Sequence, residues 1–120
     1  MVILTDKGLG QRLFNFSVNI ILLTRTLSDG KEYDVIKYQL TKSATSSGAN
    51  YEEAQAASSK LDFRNKIKIS LKEMRESNYW LKIIKAVSSH SEELDLLISE
   101  SEELKKILGS ISSRVSKSIQ

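Results

Sequence analysis

The segment LGQRLFNFSVNIILLTRTL, residues 9–27, decides the fold class. Its apolar residues recur at alternating steps of four and three, a spacing that aligns them along one side of an α-helix. A second, shorter apolar stripe runs beside the first. Because a bundle helix needs only one stripe for its own core, we expect another copy of the chain to cover the second. The first stripe comprises Leu9, Leu13, Phe16, Ile20, Leu23 and Leu27, and the second comprises Phe14, Val18 and Ile21.

Three further segments continue this helical periodicity. Residues 94–115 repeat the alternating steps of the first segment, and residues 61–88 carry two apolar stripes. Polar breaks at residues 28–30, 58–59 and 88–91 separate the segments. The pattern predicts helices over about 8–28, 32–58, 61–88 and 91–118 within a single domain spanning residues 1–120. Short loops between long helices favour an all-α, antiparallel up-down-up-down four-helix bundle.

The second segment contains a run of small residues, Ser43–Ala49, which on its own resembles a loop. We interpret it as helix, because one set of positions keeps the spacing of three to four residues: Leu40, Ser43, Ser47, Asn50, Ala54 and Ala57. Small side chains at these positions predict that a neighbouring helix approaches closely.

Composition excludes several classes of protein. The chain of 120 residues has no Cys and no Pro, only 5 Gly, and 40% hydrophobic residues. Disulfide scaffolds, thiol catalysis and turn-rich all-β folds are therefore excluded. No run approaches the ~20 apolar residues of a membrane span. Glycine-rich phosphate loops are absent, and the lone His90 has no nucleophile beside it, so the sequence predicts neither an enzyme nor a cofactor.

A row of cations marks the third predicted helix. Residues 61–90 hold seven Lys and Arg against three Asp and Glu. On a wheel of about 100° per residue, five of these cations fall within roughly 80° of one another, with an aromatic side chain inside the same arc. Such a row suits a phosphate backbone and a stacked base. The alternatives are a face that is only solvated, or pairing with the acidic start of the fourth helix, Glu92, Glu93, Asp95 and Glu100. The row consists of Arg64, Lys68, Lys72, Arg75 and Lys82, with Tyr79 among them.

Four polar residues fall between apolar stripes and are predicted to point partly inward: Asn50, Glu53, Glu73 and Glu76. One interpretation is a buried polar network that fixes helix register. The other is a carboxylate metal site, but bundle di-iron sites use Glu-x-x-His pairs, which this chain lacks. We therefore predict a structural network and no metal.

Two motifs resemble those of a known family. They are SATSSGANYEEA in the second helix (Ser43–Ala54) and ISLKEMRESNYWL in the third (Ile69–Leu81). In this order and spacing they resemble the bacterial four-helix bundle proteins related to those encoded in intervening sequences of 23S ribosomal RNA genes. Asp62-Phe63 with Lys66 resembles the family's start of the third helix, and Glu102–Ile111 resembles its fourth. The resemblance extends over about residues 10–115.

The resemblance implies a non-enzymatic four-helix bundle that assembles into a ring, with pentamers among relatives, in the bacterial cytoplasm. A more distant branch serves as accessory proteins of diversity-generating retroelements, in which a basic pentamer engages nucleic acid. This chain is less basic than that branch, with a net charge of +3. Two functions therefore stay open: weakly sequence-specific RNA or DNA binding by the oligomer, or an adaptor role in which the bundle binds another protein.

Overall fold

Four helices account for most of the protein. The computed structural model describes residues 8–89 and 91–119; residues 1–7, His90 and Gln120 lie outside that description. Within the described residues the helices are α1 (Leu9–Thr24), α2 (Lys31–Gln55), α3 (Lys60–Val87) and α4 (Glu92–Ile119), and no strand occurs among them. The prediction of an all-α four-helix bundle is confirmed.

Contacts between neighbouring helices run in opposite residue order. Ser43 and Ser47 of α2 meet Ser77 and Ser70 of α3, respectively. Along the next seam, Asn78 of α3 meets Ser101 of α4. Lys85 of α3 meets Asp95 of α4 further along the same pair of helices, so α3 is antiparallel to α2 and α4 is antiparallel to α3. α1 packs against α2 and, less extensively, against α4, which closes the bundle.

The apolar stripes of the four helices form the core. Burial of such side chains is the main favourable term in folding, so the helices turn these stripes toward one another. Leu9 and Leu27, at the two ends of the α1 stripe, are only half-buried. The large fully buried members are Leu13, Phe16 and Ile20 from α1, Leu40 from α2, Ile67, Met74, Leu81 and Ile84 from α3, and Leu94, Leu97, Leu104 and Leu108 from α4.

Hydroxyl caps begin α3 and α4. The Asp62 backbone N–H donates to Ser59 Oγ at 3.0 Å, and the Ser58 N–H donates back to Asp62 Oδ2 at 3.2 Å. At the start of α4, the Leu94 N–H donates to Ser91 Oγ at 3.3 Å. These bonds satisfy N–H groups that have no partner inside a helix, which explains why both helices begin where they do.

Helix α1 ends four residues earlier than the apolar spacing predicts. After Thr24 the chain continues in tighter turns, with the Thr26 N–H bonded to the Leu23 carbonyl and the Leu27 N–H to the Thr24 carbonyl. These turns keep Leu27 against the core without a regular helix. Gly30 then takes a φ of +135°, a conformation that side chains disfavour, and starts α2.

Helix α2 is continuous through Ser43–Ala49, and its small residues bring neighbouring helices close together. Ser47 Oγ donates to the Ser70 carbonyl at 2.8 Å, and Ser70 Oγ donates to the Ser47 carbonyl at 2.7 Å. Ser43 and Ser77 hydroxyls meet at 2.8 Å. We call these four residues the serine seam. On the other side of α2, a Cβ added at Gly48 would contact α1 at 3.6 Å.

The serine seam yields a stability prediction. Replacing Ser47 with Val adds volume where two backbones meet and removes the hydroxyl bond, so we expect Ser47→Val to destabilise the fold by about 1–3 kcal/mol. Ser113→Val, the same change at an exposed position of α4, should shift stability by no more than about 0.5 kcal/mol. Urea denaturation followed by circular dichroism measures both, and equal losses would contradict the close approach.

Candidate functional site

The cationic row of α3 lies on the outer surface of the bundle. Lys68, Lys72, Arg75 and Lys82 are exposed, and Tyr79 is 57% exposed. Arg64 is half-buried, and its Nε atom is buried with no hydrogen-bond partner in the described residues. We call the row, with Tyr79, the basic face. The structure thus brings the predicted residues together along one helix.

Carboxylates of α4 neutralise one end of this surface. Lys82 Nζ lies 3.1 Å from Glu102 Oε1, and Lys85 Nζ lies 2.9 Å from Asp95 Oδ1. Of the four carboxylates expected to pair with the row, only Asp95 is found in an ion pair with an α3 lysine. Glu102, which the sequence did not predict as a partner of the row, pairs with Lys82 of the basic face instead.

Glu102 gathers three donors. Besides Lys82, it accepts from Asn78 Nδ2 at 2.8 Å and pairs with Lys105 at 3.2 Å. The hydrogen bonds from Lys82 and Lys105, followed by that from Asn78, lower the pKa of Glu102 from 4.5 to about 2. The carboxylate is therefore ionised at neutral pH, and it fixes this end of the seam between α3 and α4.

The other end of the basic face keeps its positive charge. Among the described residues, Lys68 and Arg75 have no carboxylate partner, and Lys72 Nζ lies only within 3.9 Å of Glu73 on its own helix. These three side chains border a groove of about 300 Å³ between α3 and α4, together with Leu71 and Ser112. We call it the α3/α4 groove.

The prediction that four polar residues of α2 and α3 form a buried network is wrong. Glu53 and Glu76 are exposed, Glu73 is half-buried, and Asn50 donates to the Ser46 carbonyl at 2.9 Å within its own helix. Glu53 turns outward to Lys66 at 3.1 Å. Burying several carboxylates is expensive, and the hydroxyls of the serine seam occupy the interior between α2 and α3 instead. The four residues share no site, and no three potential ligands gather elsewhere among the described residues as a metal would require.

A buried ion pair escaped the sequence analysis. Arg12 of α1 donates to Glu100 of α4 at 2.6 and 3.0 Å, with side chains 11% and 9% exposed. Glu103 adds a contact at 3.1 Å to the same guanidinium. The bond to Glu100 raises the pKa of Arg12 above its usual range. The signal was present in the spacing: Arg12 follows Leu9 by three residues, and Glu100 follows Leu97 by three, so both continue apolar stripes.

An apolar groove lies between α1 and α2. Phe14 is 62% exposed at this groove, and Val18 and Ile21 are half-buried beside it. The groove measures about 400 Å³. Gly48 and Ala49 of α2 also line it, so its walls are mostly carbon. We call it the α1/α2 groove, and it contains all three residues that the sequence assigned to an oligomer interface.

None of the helices described here is long and apolar enough to cross a lipid bilayer.

Both a protein-family model and a solved structure are similar to this chain. Residues 8–110 match the family model described as 23S rRNA-intervening sequence protein. A crystal structure of a protein of unknown function from the S23 ribosomal protein family of Bacteroides thetaiotaomicron is similar to this chain, with 35% sequence identity and a TM-score of 0.78. The similarity covers 88% of this chain and 98% of that one. No protein with curated function matches.

The Glu102 contacts predict a pH-dependent contribution to stability. Because the pKa of Glu102 is lower in the folded protein than in the unfolded chain, its ionised form stabilises the fold above about pH 4.5, and this contribution disappears as the pH falls towards 2. Glu102→Gln should therefore cost at most about 1 kcal/mol at pH 7, since the site is partly exposed.

The loss of stability that Glu102→Gln causes at pH 7 should disappear near pH 2. The exposed substitution Glu76→Gln serves as the control, with little effect at either pH. Thermal denaturation between pH 2 and 7 measures the difference between variant and parent, and a difference that stays constant with pH would contradict the assignment.

Proposed function

Because the chain belongs to the family of 23S rRNA-intervening sequence proteins, we propose that it is a non-enzymatic, oligomeric four-helix bundle that binds RNA or DNA. The observation that carries the proposal is the unpaired end of the basic face. Lys68, Lys72 and Arg75 are exposed side by side, with no carboxylate of another helix paired to them among the described residues. The proposed setting is the bacterial cytoplasm, as the family resemblance implies.

Binding would rest on phosphate neutralisation. Lysine and arginine side chains that contact phosphates release condensed counterions, and this release drives sequence-independent association. Lys82 contributes less, because Glu102 already pairs with it. Tyr79, one helical turn from Arg75, offers an exposed ring on which a base can stack. Affinity should accordingly be weakly sequence-specific and fall steeply with salt.

Self-association would make this modest surface effective. Three exposed cations per subunit give weak binding, but several copies linked in one assembly bind a long strand with much higher avidity. We propose that the α1/α2 groove joins the subunits, because a second copy would cover Phe14, Val18 and Ile21 with apolar surface. The family resemblance implies a ring, with five subunits as its expected size.

A second candidate function uses the same groove differently. The α1/α2 groove is apolar and flanked by α2, and a helix of another protein laid into it would also cover Phe14. The chain would then be an adaptor, and its basic face would only be solvated. Recovery of a protein partner that withstands nuclease treatment and high salt would favour this candidate.

Removing the three exposed cations Lys68, Lys72 and Arg75 tests nucleic-acid binding. With Lys68→Gln, Lys72→Gln and Arg75→Gln combined, three phosphate contacts per bound subunit are lost. For single-stranded RNA, the negative slope of log affinity against log salt should therefore become shallower by about two. Fluorescence anisotropy of a labelled RNA across a salt series measures the slope. A triple Gln variant at Lys31, Lys60 and Lys117, which are exposed at helix ends, is the control with the same charge change. Equal slopes for the two variants would refute the proposed surface.

Placing a charge in the α1/α2 groove tests self-association. Phe14→Glu should dissociate the oligomer, because a carboxylate buried between apolar surfaces loses its hydration. Leu96→Glu makes a comparable change at a side chain that is 51% exposed on α4, and it should leave the assembly intact. Sedimentation velocity measures the mass of each variant. A parent protein that sediments as a monomer at micromolar concentration would exclude this mode of assembly.

A further inference from the structure

The α3/α4 groove differs in chemistry from a surface that only attracts phosphate. Its walls are mostly carbon, from Leu71 and the aliphatic stems of the surrounding side chains. Lys68, Lys72 and Arg75, which are exposed, line the groove together with the buried Ser112. A volume of about 300 Å³ is at the lower end of the range for small-molecule sites.

A flat, apolar ring attached to an anion fits this arrangement. The ring would pack against Leu71 and the lysine stems while the anion meets the charged rim. The Arg75 guanidinium is planar and stacks on aromatic faces, which an ammonium group does not do. A nucleobase with its adjoining phosphate combines these two chemical features. Double-stranded nucleic acid keeps its bases stacked inside the helix, so only an unpaired strand can offer one.

We infer that the α3/α4 groove holds an unpaired nucleobase, so that the protein prefers single-stranded over double-stranded nucleic acid. This inference rests on the proposed function and specifies the form of its ligand. Tyr79 lies one turn beyond Arg75 on the same face, with its ring 57% exposed. It therefore offers a stacking surface to the next base of an extended strand. Exposed aromatic rings along a basic groove are typical of proteins that bind single strands.

The preference is informative because bulk electrostatics works against it. A duplex carries a higher charge density than a single strand, and the salt dependence per neutralised phosphate is correspondingly steeper. A surface that only contacts phosphates would bind a duplex at least as tightly. Tighter binding of the single strand would therefore report contacts with the bases.

The test compares two labelled RNAs of 20 nucleotides, oligouridylate and a self-complementary duplex, at one salt concentration with the full-length protein. We expect the single strand to bind about tenfold more tightly, the scale of one stacked base. Arg75→Lys keeps the charge and removes the planar group. It should weaken single-strand binding about fivefold or more and change duplex binding less than twofold. Arg114→Lys, at an exposed position of α4, is the control and should change neither.

A second variant fills the groove. Ser112→Met places a longer side chain in the wall and should remove the single-strand preference while duplex binding persists. Arg75 is exposed, so its variant reports on the inference even where Ser112→Met fails to fold.

The outcomes separate the inference from the proposed function. Equal affinity for both RNAs, or an equal loss of both with Arg75→Lys, would overturn the base-binding groove and leave phosphate binding intact. If neither RNA binds with a salt-dependent affinity, the proposed function fails and the inference fails with it.

Discussion

The close contact between α2 and α3 through the serine seam fixes the orientation of everything that α3 displays. Ser47 and Ser70 each donate to the other's backbone carbonyl, an arrangement that tolerates almost no rotation of one helix against the other. With Ser70 and Ser77 facing α2, the opposite side of α3 must face water and the edge of α4. The four hydroxyl groups of the serine seam therefore help to fix the position of the basic face.

The apolar periodicity of the sequence predicted most of the fold but little of the candidate site. The stripes through Leu13 and Leu104 predicted two core helices because burial of carbon surface depends only on spacing within each helix. The charge pairs depend instead on which residues of α3 and α4 face each other, and a single sequence does not contain that register. The sequence therefore predicts the basic face as one row, whereas Glu102 neutralises its Lys82 end. The same missing register placed Glu53 and Glu76 inward, where hydroxyls already fill the interior.

The Arg12–Glu100 pair shows how polar residues can occupy stripe positions. A guanidinium and a carboxylate at apolar spacing each point to the interior, and neither would be stable there alone. Together they join α1 to α4, the least extensive of the helix contacts in the described bundle. Removing one partner would leave a buried charge without its counterion, so the pair specifies which helix closes the bundle more than it strengthens the closure.

The shortness of α1 has a mechanical consequence for the α3/α4 groove. Arg12 meets Glu100 and Glu103, so α1, which begins at Leu9, starts opposite the middle of α4. Ser112 lies further along α4, and among the described residues the helix that packs against that section is α3. An occupant of the groove would stabilise this section of α4. Ligand binding would therefore slow amide hydrogen exchange in the last turns of the helix.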